Sequence, residues 1–172
     1  MKIAFYKAAK KPGFAKLWSL GIALITGGLY SHCEIVLDDK YIMAPFNDTG
    51  IIVMQHDKGG SLCFSASEMD GGTRFKLIDL KDGKWDVVGM PDMDDRRVLN
   101  WCQEQQFLHY DWAGLRGFVF PWSKDDPKVL FCSEAVILCC QWQAELRKWP
   151  TGRAVIADRT SPNDLATLVG LR

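Results

Sequence analysis

Apolar and polar residues alternate through the first half of this chain and give way to helical spacing in the second. That order restricts the fold more than any other feature. Ser31, Cys33, Ile35 and Leu37 fall on one side of an extended segment and His32, Glu34 and Val36 on the other, the period-two mark of a β-strand. Met1 to Tyr6 alternates in the same way. Ile51 to Met54, Ser61 to Ser67, Thr73 to Leu80 and Lys84 to Met90 read as further strands, the last two joined by the turn Lys81-Asp82-Gly83. The polar loop from Ala44 to Gly50 separates the early segments. Together these predict an antiparallel sheet of five to six strands.

The helical segments punctuate and then follow the strands. Phe14, Leu17, Trp18, Ile22 and Ile25 fall near helical spacing, and Thr26-Gly27-Gly28 ends that helix. A second helix begins at Pro91-Asp92, with Asp92 as cap, Asp94 and Asp95 in the first turn, and Val98, Trp101, Cys102 and Gln105 on one stripe, running to about Leu108. After a loop from His109 to Leu130, Ala135, Cys139, Trp142 and Leu146 predict a helix from Ser133 to about Lys148, widened by Val136 and Leu138 and therefore deeply buried. Ser161-Pro162-Asn163-Asp164 is a capping box with proline at the first helical position, opening a last helix through Leu165, Leu168 and Leu171. Strands with one early helix, then helices, predict an α+β fold. At 172 residues and 48% hydrophobic the chain suffices for one core and is short for two, so a single domain over 1–172 is expected.

Charge and cysteine usage narrow the function classes. Lysine plus arginine and aspartate plus glutamate number 21 each, with no long run of one sign, which argues against nucleic acid or an acidic membrane as partner. The apolar stretch from Leu17 to Tyr30 is broken by Gly21, Gly27 and Gly28 and falls short of the roughly 20 residues that span a bilayer. No integral membrane association is expected. The first strand precedes Lys7, Lys10 and Lys11, the reverse of a secretory signal, so a cytoplasmic location is expected. Six cysteines at 33, 63, 102, 132, 139 and 140 then read as reduced thiols; none are spaced as CxxC, and no structural metal is expected.

Cys132 stands apart from the other thiols because it opens the buried helix. Unpaired N–H groups and the positive end of the dipole can draw a thiol pKa from about 8.5 into the range of roughly 3.5–7.5 when a basic partner helps, and the same N–H groups can hold an oxyanion. A thiol nucleophile needs an imidazole, and His32, His56 and His109 are available. His32 is favoured because it lies on a strand and Glu34, two residues on, shares its face and can orient the ring. His56 sits in a turn-like stretch and His109 at the expected end of a helix. The competing reading is structural: cysteine also packs as a small hydrophobe, and His-x-Glu on a strand is often its solvated face.

Ser31-His32-Cys33-Glu34-Ile35-Val36, Tyr110-Asp111-Trp112 and Phe131-Cys132-Ser133-Glu134, in that order, resemble the circularly permuted branch of the NlpC-like papain-fold superfamily, to which lecithin retinol acyltransferase-like proteins are related. Ser65-Ala66-Ser67, Asp70-Gly71-Gly72, Lys84-Trp85-Asp86 and Ser161 to Leu165 are similar to small phage or bacterial members, which extends the likeness over most of the chain. The resemblance implies a papain-like cysteine hydrolase with Cys132 as nucleophile, His32 as general base, and Tyr110 lining the oxyanion site or packing beside Trp112. Glu34 is the first choice for the third polar residue, with Ser65, Ser67 or Gln55 as alternatives. It implies no cofactor and a peptide or acyl-group substrate, foremost an amide such as that of a cell-wall peptide. A lipid ester or thioester, and a non-catalytic binding or virion-associated module, are the alternatives. Asp38 to Gly60 departs from the compact hairpin of the family and forms either a rim of the substrate groove or a surface excursion.

Overall fold

The computed structural model describes residues 1–13, 15–37, 43–44, 53–54, 60–90, 93–111, 129–143 and 155–171. In chain order the elements are β1 (Lys2–Lys7), α1 (Ala15–Ile25), β2 (Tyr30–Val36), β3 (Met43–Ala44), β4 (Val53–Met54), β5 (Ser61–Ser67), β6 (Gly72–Ile78), β7 (Trp85–Gly89), α2 (Asp95–Glu104), β8 (His109–Tyr110), β9 (Val129–Leu130), α3 (Cys132–Trp142) and α4 (Pro162–Leu168). Seven strands form one open sheet in the order β7-β1-β2-β5-β6-β8-β9, and β3 pairs with β4 separately. The fold is mixed α+β, as the segment order predicts. Every pairing is antiparallel except β8 with β9.

The sheet exceeds the expected five to six strands because β8 and β9 join its edge, and segments of two residues are too short to display alternation. The turn Lys81-Asp82-Gly83 does not close a hairpin. Instead β7 crosses to the far edge and pairs with β1 from Lys2↔Gly89 to Tyr6↔Trp85. The physical reason lies in β1, whose Ile3 to Tyr6 are all buried and whose backbone therefore needs ladder partners on both sides. The region 38–60 contributes the pairs Met43↔Met54 and Ala44↔Val53. Gln55, His56, Trp112 and residues 144–150 lie outside the described residues.

Both boundaries of α2 differ from expectation, and α3 ends at Trp142, with Gln143 already extended, ahead of the expected Lys148. The cap of α2 is Asp94: its Oδ1 accepts from the N–H groups of Arg96 at 2.9 Å and Arg97 at 3.1 Å, while Asp92 lies outside the described residues. The helix stops at Glu104 because Thr73 of β6 captures the backbone groups beyond it, its Oγ1 donating to the Gln105 carbonyl at 2.6 Å and accepting from Leu108 N–H at 2.8 Å. His109 thus falls in β8, paired with Gly72 and Val129, and not at a helix end.

Alternation gives the sheet two different faces. Ile3, Phe5, Cys33, Ile35 and Phe64 pack with α3, where Ala135, Val136 and Cys139 are fully enclosed. The opposite face carries a smaller apolar cluster around Ala4, Val36 and Cys63, and beside it the polar positions Tyr6, His32, Glu34 and Arg74. By contrast α1 leaves much of its apolar stripe in solvent, with Leu17 64% and Leu24 83% exposed. Among the described residues no helix is long and apolar enough to cross a membrane.

The start of β2 is pinned from the C-terminal end of the chain. Asn163, buried in α4, accepts from Tyr30 N–H at 2.9 Å and donates to the Tyr30 carbonyl at 2.8 Å and to Thr26 Oγ1 at 2.6 Å. The capping box sets its position: Ser161 Oγ accepts from Asp164 N–H, and Asp164 Oδ2 accepts from Ser161 N–H. Gly28 leaves the space, since a Cβ there would lie 2.2 Å from Asn163 Oδ1. Asn163→Ala strands both Tyr30 backbone groups and is expected to cost about 2–4 kcal/mol, lowering Tm by roughly 5–15 °C in a circular-dichroism melt. Gly28→Ala should lower Tm through the clash; unchanged melts for both variants would show that this lock contributes nothing.

Candidate active site

Because His32 and Glu34 are two apart on β2, both project from one face of the sheet. His32 Nε2 lies 2.9 Å from Glu34 Oε1. Glu34 is 1% exposed and His32 23%. With Nε2 committed to the carboxylate, Nδ1 is the ring nitrogen left for the Cys132 sulfur, with which the imidazole shares a hydrogen bond.

Cys132 is the first residue of α3. Phe131 N–H donates to Glu134 Oε2 at 3.2 Å, which closes the first turn from outside. The N–H groups of Cys132 and Ser133 belong to that turn, where no helix carbonyl can accept them. The helix head meets β2 where the sheet has room for it. The ladder between β2 and β5 consists of Ile35↔Phe64 and Val36↔Cys63, and ahead of it the Cys33 carbonyl accepts from Ser65 Oγ at 2.7 Å while the Cys33 N–H and thiol both donate to the Cys132 sulfur.

The charges follow from these contacts. The Cys33 thiol's hydrogen bond, acting against burial and joined by the charge and hydrogen bond of His32, holds the Cys132 thiol well below its ordinary pKa. Burial by itself would lower His32; the negative sulfur and the Glu34 carboxylate outweigh it and raise the imidazole to about 9. Burial would raise Glu34, but His32 and then Arg74 keep it below the usual carboxylate range. The arrangement therefore favours a thiolate beside an imidazolium. Cys33 is driven the other way, its pKa raised by burial and by Cys132, so it remains a thiol.

Tyr110, on β8, is buried and lines the same cavity as His32 and Glu34, a space of about 380 Å³. Burial first, and the negative sulfur second, raise its phenol pKa, so the hydroxyl keeps its proton. Trp85 presents its ring to His32 at 6.4 Å between centroids and an interplanar angle of 63°. Cys132 does not line this cavity and, at 5% exposed, meets solvent narrowly.

The structure thus brings together Cys132, His32, Glu34 and Tyr110. Of the alternatives, His109 is exposed in β8, Ser65 is spent on the Cys33 carbonyl, and Ser67 lines the cavity without bonding His32. His56 and Gln55 lie outside the described residues. Sequence reasoning did not reach Cys33 as a donor to Cys132, nor Arg74 and Asp70 beyond Glu34. Arg74 sits at a polar position in the alternation of β6, which was the available signal. Among the described residues no group of three or more histidine, cysteine, aspartate or glutamate side chains is arranged to hold a metal ion. No family model, curated protein or solved structure matches the chain.

In an NMR titration the His32 ring should show a midpoint near pH 9 and not the ordinary 6.5. Because the folded value is raised, the stability contributed by this charge is complete below pH 6.5 and is lost as pH climbs through about 9. Cys132→Ala should bring the midpoint down, since burial then opposes a charge held by Glu34 alone. A wild-type midpoint at or below 6.5 would rule out the ion pair.

Proposed function

We propose that this chain is a papain-like cysteine hydrolase working by acyl transfer, similar in plan to the permuted NlpC-like branch. The hydrogen-bonded run from Cys132 through His32 to Glu34 carries the reading. The Cys132 thiolate attacks a carbonyl carbon, and the resulting oxyanion is met by the N–H groups at the head of α3 and by the Tyr110 phenol. As the bond to the leaving group breaks, its electron pair takes the proton from the His32 imidazolium, leaving a thioester on Cys132. Neutral His32 then takes a proton from water, the hydroxide adds to the thioester, and the acid departs as the thiolate and imidazolium return. Glu34 orients the ring throughout and holds its positive charge. No cofactor enters these steps.

An amide such as that of a cell-wall peptide is the substrate that the resemblance supports. One observation favours an acyl ester or thioester instead: α1, with its exposed apolar stripe, contributes Trp18 and Ile22 to the cavity wall, an environment suited to an acyl chain.

Iodoacetamide should alkylate Cys132 well below pH 8 and ahead of the other five thiols, as read by peptide mapping. In a screen of peptidoglycan fragments, acyl esters and acyl thioesters, Cys132→Ala should abolish turnover. His32→Ala should reduce it by about 10²–10⁴-fold, and Glu34→Gln by less. Should Cys132 prove no more reactive than Cys102 or Cys63, the hydrolase reading fails and a binding or virion-associated module takes its place.

A further inference from the structure

The carboxylate oxygen that accepts from His32 is held at the same time by a guanidinium. Glu34 Oε1 lies 2.9 Å from His32 Nε2 and 2.7 Å from Arg74 Nη2, and Glu34 Oε2 lies 2.8 Å from Arg74 Nη1. Arg74 reaches it across β5 at the position of Ser65, its register partner, a side chain small enough to pass. On the outer side Arg74 Nε donates to Asp70 Oδ2 at 2.7 Å, and Lys76 Nζ lies 3.1 Å from Asp70 Oδ1. Charges thus alternate from Cys132 through His32, Glu34, Arg74 and Asp70 to Lys76. Among the described residues, His32 and Arg74 are the groups hydrogen-bonded to the Glu34 carboxylate.

We propose that Arg74 is a positioning residue for His32: acting through Glu34, it fixes the carboxylate and divides its charge between two cations, which restrains how strongly the imidazole holds its proton. The inference rests on the thiol-hydrolase reading. A planar fork suits the role, since two parallel N–H···O bonds set the plane of the carboxylate as well as its place. The groups facing His32 itself are Cys132 from α3, Glu34 from its own strand, Tyr6 from β1, Trp85 from β7 and Tyr110 from β8. Further out lie Glu68, which acts on Tyr110, and Lys11 and Lys84, which act on Tyr6. Arg74 is the cation that shares Glu34's oxygen with the imidazole, and Asp70 is the anion that in turn tempers Arg74.

The test is the pH profile of Cys132 alkylation by iodoacetamide, read by peptide mapping. Two inflections are expected, the lower where Cys132 ionises and the upper where His32 gives up its proton. Arg74→Gln removes a positive charge and leaves Glu34 to His32 alone, so the upper inflection should rise by about one pH unit. Asp70→Asn removes an outer negative charge and should move it downward by less. Arg74→Lys keeps the charge without the fork and should return the inflection close to wild type. Opposite shifts from the two neutral variants support the proposal; shifts of one sign, or none, overturn it. Asp70 is partly exposed, and if the Arg74 variants do not fold, a downward shift in Asp70→Asn supports the proposal while an unmoved or raised inflection overturns it. A wild-type profile with no reactive Cys132 at low pH would instead sink the hydrolase reading.

Discussion

A carboxylate taken out of water must be answered by charge and hydrogen bonds, and the whole polar face of this sheet is arranged around the answer given to Glu34. The effective penalty for burying an ion is several kcal/mol even after relaxation, and removing one partner of a buried pair costs about 3–5 kcal/mol. His32 supplies one hydrogen bond and Arg74 two. Such a pair adds little net stability compared with apolar packing. Its consequence is geometric. It ties β2 to β6 across the intervening strand and takes up Nε2 of His32, which leaves the second ring nitrogen for the sulfur at the head of α3.

The thiol's ionisation follows from local contacts more than from the helix. A helix dipole contributes about 0.3–1 kcal/mol, up to roughly 2 in favourable geometry, which amounts to about one pKa unit. The position of Cys132 on α3 matters because of what the helix brings it against: the Cys33 thiol and N–H on one side and the His32 imidazole on the other. That position is secured by apolar burial along the helix, where Ala135, Val136, Ile137 and Cys139 have no exposed surface. A helix enclosed on nearly every side cannot slide without opening cavities, each at a cost of kcal/mol order. Core packing far from the sulfur therefore sets its distance from the ring.

What could be read in the sequence was what depends on one segment at a time. The period-two pattern delimited β5 as Ser61–Ser67 and set His32 and Glu34 on a common face. The capping box at Ser161 was legible because its two hydrogen bonds are local. What escaped depends on register between segments. Arg74 faces Glu34 only because β6 pairs with β5 at Ser65↔Arg74 and β5 with β2 at Ile35↔Phe64. Cys33 looked like one more core cysteine, since its side chain leaves β2 on the face opposite His32. The helix head, set against the end of β2 that pairs with β1 but not with β5, is what lets both residues reach one sulfur. Asp92, Asp94 and Asp95 are all competent caps by residue type, and the choice of Asp94 was made by where the chain turns.

Limited access to the sulfur is consistent with the proposed chemistry. Cys132 is 5% exposed while His32 is 23%, so a carbonyl would approach across the polar face of the sheet, over the imidazole. The Tyr110 phenol borders that path, and the burial and negative sulfur that raise its pKa keep it a hydrogen-bond donor wherever the thiolate exists. A tyrosinate there would repel a developing oxyanion. Trp85 stands against the ring and lines the same cavity. Excluding water lowers the local dielectric and strengthens each charge pair that is already matched. The walls that restrict entry therefore also sustain the thiolate and imidazolium on which turnover would depend.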